Sequence, residues 1–291
     1  MIVRTRQSLR PSIRVAPIDR QAGGKCYPLQ FGYRQAMVRK PSSIPVNRID
    51  AVDALRGFAM VWMTAYHLVF DLNHFGYVHQ DLHGDAFWSW QRTLIVSLFL
   101  FCAGLGQAIA VAQGQSWPRF WRRWAQVLGA ALLVTAGSWW MYPHSFIYFG
   151  VLHGIALMLI IVRLTAPWGG WLWGLGALAI AVKFIAAYAL EATALAEFAN
   201  GLNAPQLNWL GLITRKPLTE DYVPLLPWLG VMWWGAAAGS WLSRRATPGL
   251  SWPLPASLEP LAKIGRWSLS YYLLHQPVLI GMLMAVGWFS K

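Results

Sequence analysis

The chain has 291 residues, of which 56% are apolar and only 12% charged, with 19 tryptophans and a positive mean hydropathy. That balance excludes an ordinary soluble enzyme and predicts an all-α fold, one polytopic transmembrane helix bundle. The net charge of +13 implies no nucleic-acid partner, because ten of the 24 Lys and Arg residues lie in residues 1–50, ahead of any hydrophobic segment.

Residues 1–50 form a basic tail rich in Arg, Ser, Pro and Gln, without the apolar run that a secretory signal requires. The tail is expected to be disordered and cytoplasmic, where it can lie on anionic membrane lipids. Met37 is a second candidate start. The two cysteines, Cys26 in the tail and Cys102 in an apolar run, form no CxxC pair and imply neither redox nor zinc chemistry.

Residues 51–291 read as the membrane domain. Apolar run lengths predict about seven spans, near 54–72, 87–112, 125–141, 147–164, 168–190, 224–242 and 267–289. The segment around Lys183 is a candidate break into an interfacial helix. With the tail inside, the cytoplasmic loops carry eight cations, Arg119, Arg122, Arg123, Arg163, Arg244, Arg245, Lys263 and Arg266. The outer segments carry three, Arg215, Lys216 and Lys291. This asymmetry predicts a multi-pass membrane protein with a cytoplasmic N-terminus.

The first span, DALRGFAMVWMTAYHLVFD, holds the most informative polar residues. Arg56 and His67 are eleven residues apart, which on a helix is about 20° off register and roughly 16 Å along the axis. Met60 and Met63 fall between them, so this face suits a molecule lying along it. An ionisable group in hydrocarbon is costly and marks a candidate site. Arg92, five residues into the second span, is expected to be buried and to pair with Asp71, Asp85 or Asp221.

All seven histidines avoid the tail and the inner loops. His67, His153 and His275 sit in three different spans and His83 in the loop before the second, so several can converge on one cavity. No HxxxH, HxxE or HExxH spacing occurs, and no metal is expected. A polar pathway of this kind fits an enzyme. It also fits a transporter or permease, although the halves show no repeat that would support one.

Five segments in order, RIDAVDALRGFAMVWMTAYHLVFDLNHFG, HGDAFWSWQRTLIVSLFLFCAG, SFIYFGVLHGIAL, DYVPLLPWLG and GRWSLSYYLLHQPVL, resemble successive motifs of a bacterial integral membrane family. That family is similar to the catalytic region of heparan-alpha-glucosaminide N-acetyltransferase. The resemblance runs from about Arg48 to the end. Arg56-x10-His67 is also similar to a signature of membrane acyltransferases that modify extracytoplasmic sugars. The resemblance implies transfer of an acetyl group from cytoplasmic acetyl-CoA to a sugar amine or hydroxyl on the other side. An envelope glycan or a small amino sugar is the expected acceptor. By position His83 matches the catalytic histidine of the lysosomal enzyme, while His67 stands where that enzyme has Asn and His153 where it has Gln.

The chemistry asks for the same residue types. Acyl transfer needs a base with a pKa near working pH, which imidazole supplies. His67 or His83 is that base, or the nucleophile that carries the acetyl group as an acyl-imidazole. Asp71 and Asp85 are candidates to orient the histidines or bind acceptor hydroxyls, and Arg92, His153, Asp221 and His275 are further candidate substrate-binding groups. Arg56 is the candidate contact for the CoA phosphates. Gly104 and Gly106 read as helix-packing positions. No motif specifies an oligomeric state.

Overall fold

In the computed structural model, residues 49–82, 84–192, 196–245 and 254–289 are described, and they belong to one compact unit, Pro45–Lys291. The expectations for the basic tail, Cys26, His83 and Lys291 lie outside the described residues.

Nine α-helices account for almost all regular structure among the described residues. They are α1 (Asp50–His74), α2 (Ala86–Ala112), α3 (Trp117–Met141), α4 (Val151–Thr165), α5 (Trp171–Ala192), α6 (Ala196–Asn203), α7 (Leu225–Arg245), α8 (Glu259–Arg266) and α9 (Ser268–Phe289). Local chemistry sets several of their ends. Asp50 and Asp53 place negative charge in the first turn of α1, where the helix dipole favours it. The Asp85 carboxylate caps α2 by accepting the Phe87 N–H at 2.8 Å. Pro118 opens α3 at a position where its missing N–H costs nothing.

Four segments are long and apolar enough to cross a membrane: Ala86–Ala112, Val151–Trp168, Trp171–Leu190 and Ser268–Trp288. The sequence predicts about seven spans, so α1, α3 and α7 fall short of that criterion. The reason lies in their composition. Arg56, His67 and Asp71 dilute α1, whereas α3 and α7 have charge-free stretches at 124–141 and 225–242 that are diluted by Trp, Gly and Ser. α5 is continuous through Lys183, whose ammonium donates to the Ile213 carbonyl at 3.0 Å, so the expected break there does not occur.

Contacts sort the helix ends into two groups. At one end, rich in arginine, Arg163 donates to the Gln115 carbonyl, the Arg244 guanidinium lies against Gly169, and Arg266 pairs with Asp50 at 2.6 Å. At the other end, rich in histidine, residues 142–151 meet residues 219–224. There Thr219 donates to the Phe146 carbonyl at 2.8 Å, and Phe149 and Tyr222 form a parallel bridge.

Two helix crossings are sealed by absent side chains. A Cβ on Gly104 of α2 would collide with the Met232 carbonyl of α7, and one on Gly235 of α7 with the Phe101 carbonyl of α2. Gly57 of α1 and Gly265 of α8 interlock in the same way, against Leu261 and Asp53. Close backbone approach of this kind replaces the hydrophobic drive that is weak between helices in lipid. Gly104 thus serves helix packing as expected, whereas Gly106 leaves room for the Arg56 guanidinium.

Tryptophan does more than form interfacial belts. Indole N–H groups tie helices together: Trp62 to Gln91, Trp124 to the Ala156 carbonyl, Trp233 to Thr165 and Trp234 to the Trp173 carbonyl. Others remain exposed at the helix ends, among them Trp140, Trp171, Trp267 and Trp288, where an amphipathic ring suits a membrane interface.

Candidate functional site

The candidate site lies where the histidine-rich half of α1 meets α9. Residues 67 and 71, four apart on one helical surface, face residues 275 and 276 across this contact. His67 Nδ1 and His275 Nε2 are 2.8 Å apart, with the two rings nearly parallel. His275 Nδ1 lies 2.7 Å from the Tyr272 carbonyl oxygen, which can only accept, so His275 carries its proton on Nδ1. In the neutral pair His275 Nε2 then accepts from His67 Nδ1–H. His67 Nε2 is left with its lone pair, the form a general base needs.

Gln276, beside His275, donates from Nε2 to Asp71 Oδ1 at 2.7 Å. Asp71 is 3% exposed and is one wall of an open cavity of about 310 Å³, which His74, Trp140, Tyr142, Ile280 and Met284 also line. The cavity therefore opens one helical turn along α1 from His67, and neither histidine of the pair lines it. Thr64 and Tyr271 support the arrangement, their hydroxyls 2.9 Å apart, and the Tyr271 ring lies parallel to that of His275.

Asp221 anchors the adjoining loop. Its Oδ2 accepts the Val151 N–H at 2.7 Å and so completes the first turn of α4 from outside that helix. Burial raises the Asp221 carboxyl above the usual carboxylate range, opposed by the Val151 N–H and by the Arg92 and Lys216 charges. Burial, then Arg92, lowers the Lys216 ammonium, with Asp221 and Glu220 opposing. These groups form one electrostatic neighbourhood.

Several expected residues behave differently from the sequence reading. Arg92 is exposed rather than buried, and among the described residues no carboxylate lies within ion-pair distance of it. Its face of α2 is left uncovered, so it reaches Asp221 and Lys216 through its field alone. Asp85 is spent on its helix cap. His153 does not join the histidine pair. Thr135 donates its hydroxyl to the Ile147 carbonyl and meets His153 Nε2 at 3.1 Å, while His153 Nδ1 accepts the Gly150 N–H at 3.3 Å. Both ring nitrogens are engaged at the start of α4.

Arg56 also has a structural partner, donating to Asp53 at 3.1 Å. The face between Arg56 and His67 is not an open lane, because Met60 and Met63 are buried against Ile95 and Phe99 with Tyr272 alongside. Among the described residues no group of three His, Cys, Asp or Glu side chains clusters as a metal site. Gln276 was not singled out by the sequence. A glutamine inside an apolar span, next to an intramembrane histidine, is the signal that marks it.

The chain matches the family described as heparan-alpha-glucosaminide N-acetyltransferase, catalytic, over residues 48–277, a stretch that includes every residue of the α1–α9 cluster. No curated protein and no solved structure matches it. With its apolar helices and a match over most of its length, the chain belongs to the heparan-alpha-glucosaminide N-acetyltransferase catalytic family, and it is a transmembrane protein of acetyltransferase type.

Proposed function

We propose that this protein is an integral membrane acetyltransferase that takes acetyl from cytoplasmic acetyl-CoA and delivers it to an extracytoplasmic sugar amine or hydroxyl. The observation that carries the reading is the His67–His275 pair, which leaves His67 Nε2 with its lone pair one helical turn from the open cavity at Asp71. All seven long helices cross the bilayer in this reading, with the arginine-rich end in the cytoplasm. The protein is then a multi-pass component of a bacterial inner membrane.

The acceptor occupies the cavity beside Asp71, His74 and Tyr142. His67 Nε2 takes the acceptor N–H or O–H proton as the acceptor attacks the thioester carbonyl. The C–N or C–O bond forms, the C–S bond breaks, and the imidazolium returns the proton to the CoA thiolate. The same nitrogen also suits the two-step route, in which it bonds the acetyl carbon first and water stays excluded until the acceptor attacks. His275 is a positioning residue that fixes the His67 tautomer. His83, in the loop before α2, is the second candidate base, and Arg92, Asp85, His153 and Asp221 border the acceptor side.

Arg56 is the proposed donor contact, its guanidinium directed at CoA phosphate. For the pantetheine arm to reach His67, the flexible Met60 and Met63 side chains must yield, which unbranched thioethers do more readily than branched residues.

The test is acetyl transfer by the purified protein in liposomes, with labelled acetyl-CoA and a panel of amino sugars and envelope glycans. Transfer that is present in wild type and absent in His67→Ala or His83→Ala, with the fold retained, supports the reading and names the base. No transfer, no CoA release and no CoA binding in wild type overturns it.

A further inference from the structure

Two buried oxygen atoms at the α1–α9 contact have no hydrogen-bond partner among the described residues: Asp71 Oδ2 and Gln276 Oε1. They belong to side chains already joined to each other by the 2.7 Å bond from Gln276 Nε2 to Asp71 Oδ1. An unpartnered buried acceptor is costly, and an uncompensated carboxylate in hydrocarbon more so. Both costs vanish with one proton. A carboxylic acid presents a carbonyl and an O–H on one edge, and a primary amide presents an N–H and a carbonyl on one edge. The two edges close a ring of two hydrogen bonds.

We propose that Asp71 is a neutral carboxylic acid, closed into a two-bond ring with Gln276, and that this pair positions α9 so that His275 meets His67. The ionisable groups facing the pair are His67 and His74 on α1, His275 on α9 and Tyr142 at the end of α3. A proton placed on His67 instead, with Asp71 ionised, leaves Asp71 Oδ2 without a donor. The acid form alone satisfies both orphans. Gln276 is thereby a second positioning residue for the acetyl transfer. This kinetic role rests on the acetyltransferase reading, whereas the protonation of Asp71 does not.

The test uses the full chain in liposomes near neutral pH, with three readouts. Infrared spectra should contain a carboxylic-acid carbonyl band that disappears in Asp71→Asn. A wild type without that band, or a band that survives the substitution, overturns the neutral acid. Hydrogen exchange across residues 270–280 should quicken in Asp71→Leu and Gln276→Leu but not in Asp71→Asn, because an asparagine–glutamine pair closes the same ring. Equal quickening in all three overturns the positioning role even if no activity is found. In the transfer assay, Asp71→Leu and Gln276→Leu should lower kcat about tenfold or more with KM little changed. Asp71→Asn should recover most of that loss. An Asp71→Asn protein that is folded yet as inactive as Asp71→Leu shows that the charge of Asp71 acts on substrate, and overturns the proposal.

Discussion

The two ends of this bundle are built from the same helices and use their polar residues in opposite ways. At the arginine-rich end Arg56 is held by Asp53, Arg266 by Asp50 and, at 4.0 Å, by Asp53, and Arg163 by Gln115. Gly57 and Gly265 then clamp α8 onto α1 beside them. Those charges are occupied in holding the fold. At the histidine-rich end the pairing stops short: His67 Nε2 keeps a lone pair, and among the described residues Arg92 faces outward without a carboxylate against it. Chemistry needs groups that the fold has not consumed, and the α1–α9 contact at this end offers one.

The comparison breaks most sharply at His67. If the histidine-rich end holds the base, His67→Ala should lower kcat/KM for acetyl transfer by about 10²–10⁴, with little change in melting temperature. His275→Ala should cost less, since the tautomer of His67 becomes unrestrained but the nitrogen remains. Equal activity in wild type and His67→Ala would shift the base to His83. The clamp predicts the opposite pattern. Gly57→Leu or Gly235→Val forces backbones apart and should destabilise by about 1–3 kcal/mol or more, read as a lower melting temperature in detergent.

How much of this was visible beforehand depends on the range of the interaction. Helix identity is local, and the apolar runs at 87–112 and 168–190 lie within a few residues of α2 and α5. α8 is only eight residues long and bears Lys263 and Arg266, so it reads as a basic loop; its amphipathic spacing was the available signal. His67 and His275 were both identifiable as costly intramembrane groups. Their meeting across 208 positions was not, because it depends on how α9 docks. Arg92 shows the converse error: depth in a span does not determine which face of a helix is covered. Met60 and Met63 share the face of Arg56 as periodicity requires, yet α2 and α9 fill it.

Arg56 tests whether the arginine-rich end is purely structural. Arg56→Gln alone removes a partner from the buried Asp53 and confounds the two roles. The double variant Asp53→Asn with Arg56→Gln removes both charges, so most of the stability loss should be recovered. If Arg56 also holds a CoA phosphate, the double variant should keep an increase in KM for acetyl-CoA of about tenfold. An unchanged KM assigns Arg56 to the fold alone.

The smallest expected effect concerns Asp221, where the two uses meet in one side chain. Its carboxyl caps α4 yet is raised by burial above the usual carboxylate range. The folded state therefore holds this proton more tightly than the unfolded state does. The stability that this confers is fully present below the unfolded carboxylate pKa and is lost as pH rises through the raised folded value. Asp221→Asn keeps an oxygen for the Val151 N–H and cannot ionise. Relative to wild type, its melting temperature should rise as pH increases from mildly acidic to neutral, by a few degrees at most. A difference between the two proteins that stays constant over that range means that Asp221 does not change its charge there. A difference that moves the other way means that the Arg92 and Lys216 charges outweigh burial, and Asp221 then belongs with the occupied charges of the opposite end.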